Sequence, residues 1–172
     1  KHGRSFTEDD VKAMYGIFEE ELFAILDQFT DVKPEVLDTV KVLREKGIQI
    51  GSTTGYTDKM MEIVTNGARE KGYEPDCVVS PDDVCGKGRP YPYMIYENMK
   101  RLNVMSVHQV MKVGDTISDI KEGKNAGVYT VGVIEGSSEM GLSMEEFQKL
   151  SEAKKLEKKS LENKTKGFFF LQ

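Results

Sequence analysis

Asp115 and Asp119 stand four residues apart in VGDTISDIKEG, residues 113–123, the first just past an apolar run and the second inside a helical pattern. A carboxylate at a strand tip, after a glycine that lets backbone approach closely, suits a hard cation. Magnesium takes few direct carboxylates and keeps waters and phosphate oxygens as its other ligands. Asp115 would touch the ion, and Asp119, about one helical turn on, would bind it or orient waters and neighbouring cations. The pair also fits plain capping, with Asp115 or Ser118 as cap and Asp119 as a first-turn acid favoured by the helix dipole. Two further stretches offer anion chemistry. GSTTGYT, residues 51–57, puts hydroxyls and a glycine ahead of a helix N-terminus. Thr54 is its best phosphate contact, and an ordinary Thr57 cap is the alternative. GKGRPYP, residues 86–92, holds Arg89 between Gly88 and Pro90, a forked cation for a phosphoryl oxygen or a carboxylate. Lys87 beside it reads as solvated.

The surrounding pattern says what must position these groups. Thr7 to Asp10 reads as a capping box. Behind it Val11, Met14, Tyr15, Phe18, Leu22, Ile25, Leu26 and Phe29 recur at three- and four-residue steps, the packing face of a long helix. Pro34 opens a second helix that Gly47 closes. Strands are expected at Ile48–Ser52, at CVVS from Cys77, at Gln109–Val113 and at Tyr129–Val133. Helices fall between them, over about 57–71, 91–102 and up to Gly127. Short apolar runs alternating with helices imply a parallel sheet with right-handed crossovers. In such sheets ligands gather beyond the carboxyl ends of the strands, where all three polar stretches lie.

Composition bounds the rest. The chain has 172 residues, 38% hydrophobic, enough for one domain with a small appendage. A net charge of -5 and a pI near 5.2 argue against a nucleic-acid partner. Cys77 reads as a core residue and Cys85 as a loop residue, with no zinc spacing. No membrane-length apolar run or signal peptide is visible, so the expected setting is cytoplasmic, without a membrane partner. The first residue, Lys1, and the lack of a strand pattern before the first helix suggest a start part-way through a larger protein. The Lys-rich stretch after Leu150 reads as a solvated helix face, and the phenylalanines of GFFFLQ have no evident role.

In the order hydroxyl, cation, acid pair, the three stretches resemble motifs two, three and four of the haloacid dehalogenase superfamily of phosphotransferases. IGSTTGYT, GYEPD, SPDDV, GRPYPYM, VGDTISDIKEGKNAG and TVGVIEGSSEMGL together resemble its phosphonate-splitting branch, over roughly residues 7–142. The resemblance implies an α/β, Rossmann-like parallel sheet of the haloacid dehalogenase type that lacks its first, central strand, with a partial helical cap. Residues 1–30 would be the cap remnant, 31–150 the core and 151–172 an atypical tail. It also implies hydrolysis of the P–C bond of phosphonoacetaldehyde to acetaldehyde and phosphate, with Mg2+. Thr54 would bind the phosphoryl group, Arg89 would steer nucleophile and phosphoryl oxygens, Tyr56 would lie near the reacting centre, and Asp115 and Asp119 would form the metal side. The partners implied are a small phosphonate substrate and a second copy, as a homodimer through the cap.

Two parts of that family pattern are absent from the sequence. The superfamily attacks phosphorus with an aspartate from a DxDGT- or DxAGT-like motif, and this branch adds a Schiff-base lysine from the cap. No two aspartates here lie two residues apart, and no lysine matches the cap motif. A missing nucleophile and imine would leave this chain alone inactive. A missing central strand would either leave a gap of about 9–10 Å or force its neighbours together, with marginal stability or dependence on another segment. The other readings are a non-catalytic remnant that binds phosphate, magnesium or a partner, and another capped phosphatase or phosphomutase. A phosphorelay receiver is excluded for want of an acid pair after its first strand.

Overall fold

The computed structural model describes residues 6–133. The first helix, α1 (Glu8–Ile25), starts on the expected capping box: Asp10 N–H donates to Thr7 Oγ1 at 3.1 Å, and Thr7 N–H donates to the Asp10 carboxylate at 2.9 Å. Three acids in its first turn complement the helix dipole. A 3-10 turn over Leu26–Phe29 ends the segment. The expected packing face differs from expectation. Val11, Met14, Tyr15, Phe18 and Phe29 are all exposed, and Leu26 is the residue of that stripe that is buried. The periodicity marks a face that needs a cover, and the described residues supply none.

From Pro34 onward helices and strands alternate as read from the sequence. Helix α2 (Pro34–Glu45) leads through Gly47 to β1 (Gly51–Thr53), then α3 (Asp58–Glu70), β2 (Cys77–Val79) and α4 (Tyr93–Arg101) follow. The last elements are β3 (Met111–Gly114), α5 (Ile117–Ala126) and β4 (Tyr129–Gly132). Strand β1 starts later than its apolar run because Ile50 is engaged by the turn before β2. Its N–H donates to Asp76 Oδ2, and its carbonyl accepts from Asp76 N–H, both at 2.7 Å. Cys77 is half-buried and not a full core residue, and Cys85 is exposed.

The strands form two parallel pairs, not one sheet. β1 pairs with β2, Gly51 opposite Cys77, and β3 pairs with β4, Met111 opposite Tyr129. β1 and β3 do not pair, which is the gap anticipated for a sheet without its central strand. A cleft of about 470 Å³ separates them, lined by both strands and by α4. Packing on one side of the gap holds the halves together. Ile95 of α4 buries itself with Ala126 and Val128, against Met99, Val107 and Val110. Each fully buried aliphatic side chain of this kind contributes about 1.5–3 kcal/mol. The tail segment, residues 151–172, lies outside the described residues.

Candidate active site

At the carboxyl end of β3 the chain turns through Gly114 and Asp115 into α5, with Thr116 as its N-cap. Thr116, and neither Asp115 nor Ser118, takes the cap. Asp119 N–H donates to Thr116 Oγ1 at 3.1 Å, and the Thr116 hydroxyl donates back to Asp119 Oδ2 at 2.6 Å. The cap leaves Asp119 Oδ1 free for cations. Arg89 donates to it at 2.6 Å and the Lys112 ammonium lies 2.9 Å away. Capping and charge pairing, which the sequence offered as alternatives, therefore coexist in one side chain. The Asp119 side chain is wholly buried. Burial pushes its carboxyl up, but Lys112, the Thr116 hydroxyl and Arg89 more than offset this and hold it below the usual carboxylate range.

Two residues outside the sequence reading complete this network. Lys112 lies in the middle of β3, buried, and its ammonium bonds Thr53 Oγ1 of β1 at 2.7 Å and Glu122 Oε2 at 3.0 Å. Glu122, one helical turn after Asp119, is wholly buried too and accepts from the Thr53 hydroxyl at 3.0 Å. Burial dominates there and raises the Glu122 carboxyl, against the pull of Lys112 and Thr53. Its Oε1 has no hydrogen-bond partner among the described residues. A charged residue inside an otherwise apolar strand was the available signal for Lys112, and the i, i+3 spacing from Asp119 the signal for Glu122.

The other two stretches arrive at the same end of the strands. Thr54 follows β1, is buried, and accepts the Tyr56 N–H on its hydroxyl at 3.1 Å, a tight turn that leaves Tyr56 partly exposed. Gly55 lies against the Arg89 guanidinium, where an added Cβ would come within 3.1 Å of Nη2. Arg89 thus touches the β1 turn and Asp119 at once. Its loop is fixed by Asn125 Nδ2, which donates to the Pro90 carbonyl at 2.7 Å. Lys87 sits 5.4 Å over the Tyr93 ring. Asp115 is half-buried beside Gly114. The helix after β1 does not use a Thr57 side-chain cap. Instead Asp82 accepts the Asp58 N–H at 2.9 Å and caps α3.

Thr54, Tyr56, Arg89, Asp115 and Asp119 all belong to segments that meet at this one end of the strands. The group offers hydroxyl and N–H donors, a guanidinium and an exposed-side carboxylate, a donor set for a phosphoryl oxygen array. Among the described residues no three His, Cys, Asp or Glu side chains gather as a metal cluster. Both Asp119 oxygens are committed to protein donors. No described helix is long and apolar enough to cross a membrane.

Comparison with known proteins adds the lineage of these parts. The family model of haloacid dehalogenase-like hydrolases matches residues 2–127. A protein of Lysinibacillus sphaericus named phosphonoacetaldehyde hydrolase is 59% identical over 150 residues, 87% of this chain and 56% of that one. A protein of the same name from Parabacteroides distasonis is 58% identical over 144 residues, 84% of this chain and 54% of that one. The chain therefore spans a little over half the length of these relatives. Among solved structures, a phosphonoacetaldehyde hydrolase-like protein from Oleispira antarctica superposes with a TM-score of 0.75 at 34% identity, covering 94% of this chain and 59% of that one.

Proposed function

The chain belongs to the haloacid dehalogenase-like hydrolases, and from that premise we propose that it carries the phosphoryl-binding half of an enzyme that hydrolyses phosphonoacetaldehyde to acetaldehyde and phosphate. The observation that supports this most is the double contact of Arg89, to Asp119 on one side and to the GSTTGYT turn on the other. The names of the relatives point to the phosphonate.

In this reading Thr54 and the N–H groups of its turn bind phosphoryl oxygens, and Arg89 neutralises charge that grows on them as the P–C bond breaks. Asp119 positions the guanidinium, Lys112 helps to keep Asp119 ionised, and Glu122 holds the Lys112 ammonium in place. Tyr56 lies in the same turn, partly exposed. Magnesium, when bound, would be held by Asp115 and would supply Lewis-acid charge to the same oxygens. The chain itself offers no aspartate in the nucleophile motif, and this favours a second reading: phosphate binding without turnover by the 172 residues alone. In this reading the full protein works in the cytoplasm as a homodimer joined through its cap.

Isothermal titration with inorganic phosphate plus magnesium tests the site. Binding that weakens about tenfold or more in Arg89→Gln and in Thr54→Val supports it. Unchanged affinity in both variants removes them from the site. Borohydride with phosphonoacetaldehyde is expected to trap no adduct on this chain, and efficient trapping on one lysine would show an imine-forming residue within it.

A further inference from the structure

Arg89 is gripped at two points by a single helix. Its guanidinium donates to Asp119 Oδ1, in the first turn of α5, at 2.6 Å. The carbonyl of the next residue, Pro90, accepts from Asn125 Nδ2, in the last turn of α5, at 2.7 Å. Six residues of α-helix separate the two points by about 9 Å along the axis. That span is comparable to the reach of an arginine from main chain to guanidinium, so α5 sets both ends of the side chain at once.

The Asn125 end is firmly seated although its side chain is exposed. The adjacent Ala126 is buried with Ile95 and Val128, and the Tyr96 hydroxyl donates to the Ala126 carbonyl at 3.2 Å. The Arg89 end is a turn, closed by Tyr91 N–H donating to the Gly88 carbonyl at 3.1 Å across Arg89 and Pro90. This bond fixes the shape of the turn but not its direction relative to α5. Gly88 also lies against Pro81, where an added Cβ would come within 3.1 Å of Cγ, an apolar contact with no directional demand. The Asn125 amide supplies direction. Water competes for an exposed amide, so the bond adds little stability, and its consequence is the aim of the turn.

We propose that Asn125 is a positioning residue for the phosphoryl site, which by holding the Pro90 carbonyl fixes where the Arg89 guanidinium meets the anion. The proposal rests on the phosphoryl-binding reading and extends it to a residue that acts through the main chain of the Arg89 loop. A guanidinium binds an anion through a planar fork of N–H groups, and such bonds weaken steeply once the fork is turned away.

The full 172-residue chain and its variants are titrated with inorganic phosphate plus magnesium by calorimetry. Asn125→Ala and Asn125→Leu, the latter close to the amide in size, both remove the donor and should weaken binding about fivefold. Asn125→Gln keeps an amide donor and should bind within about twofold of the unaltered chain. The urea midpoint should stay the same in all three, because the side chain is exposed. Added to Arg89→Gln, Asn125→Ala should cost nothing further, since its effect passes through the guanidinium. Undiminished affinity in Asn125→Ala or Asn125→Leu overturns the proposal, as does an equal loss with and without Arg89. Exchange of the Arg89 guanidinium protons, followed by NMR without phosphate, should be faster in Asn125→Ala, and equal rates overturn the proposal too. An unaltered chain that binds no phosphate defeats the phosphoryl-binding reading instead, and proton exchange alone then decides whether Asn125 places Arg89.

Discussion

The strand tips and the first helix treat their exceptional residues in opposite ways. At the tips, four charged side chains are drawn together, with Asp119 and Glu122 fully buried, and nearly every polar atom has a named partner. Along α1, large apolar side chains lie open to water, with Met14 and Ile17 each 63% exposed. Burying charge is expensive and exposing apolar surface forgoes stabilisation, so neither arrangement maximises the stability of this chain by itself. The difference teaches where specificity is held. The ion network constrains geometry through contacts within the chain, whereas α1 carries an apolar face that none of the described residues covers.

The comparison breaks most visibly if the network loses its central acid. Asp119→Asn leaves two cations sharing Glu122 and should cost about 3–5 kcal/mol, read as a lower urea midpoint or loss of a cooperative transition. Lys112→Met strips the bridge between β3 and β1 and leaves two buried carboxylates on one guanidinium. A loss of about 3 kcal/mol is expected, and the double change with Glu122→Gln should recover part of it, because an uncharged amide tolerates the site.

Acid titration sharpens the comparison further. Asp119 has a lowered folded pKa, so its contribution is present above the unfolded value near 3.8 and is lost as pH falls through the folded one. Asp76 and Asp83, both lowered as well, act in the same direction. Glu122 is raised, so the folded state holds a proton that the unfolded state has released, and stability falls as pH climbs from the ordinary glutamate value of 4.5 through the folded pKa. Denaturation midpoints followed over roughly pH 3 to 8 should therefore rise and then decline. The decline should flatten in Glu122→Gln. A decline of the same slope in that variant would remove Glu122 as its source.

The smallest effect belongs to α1. Val11→Asp or Met14→Lys should change the urea midpoint of the isolated chain by less than the equivalent of ~0.5 kcal/mol, as for exposed sites elsewhere. A larger loss would mean that this helix face is covered in solution.

Much of the architecture was legible in advance. Alternating helices and short apolar runs gave the order of elements, and Pro34, Gly47 and Gly127 gave reliable punctuation because their backbone demands are local. The meeting of Thr54, Arg89, Asp115 and Asp119 at one end of the strands was also legible, since parallel topology places post-strand loops together. The Lys112–Glu122 pair was not. Its partners lie 59 and 69 residues away on β1, and no local pattern encodes a contact of that range. Nor was the role of Asp82, whose carboxylate caps a helix that begins 24 residues earlier. The face of α1 was readable as a stripe, but its cover was not, because amphipathicity specifies the need for a neighbour and not the neighbour.

Helix α5 rests on β3 and β4 at two points where no side chain intervenes. A Cβ on Gly114 would fall 2.3 Å from that of Asp119, and one on Gly123 would fall 2.3 Å from Thr130 Oγ1. Even a single methyl at either position must lever the helix outward, and the acid it carries would withdraw from the guanidinium. Substitutions that look mild on any exchange scale should therefore behave like active-site lesions here.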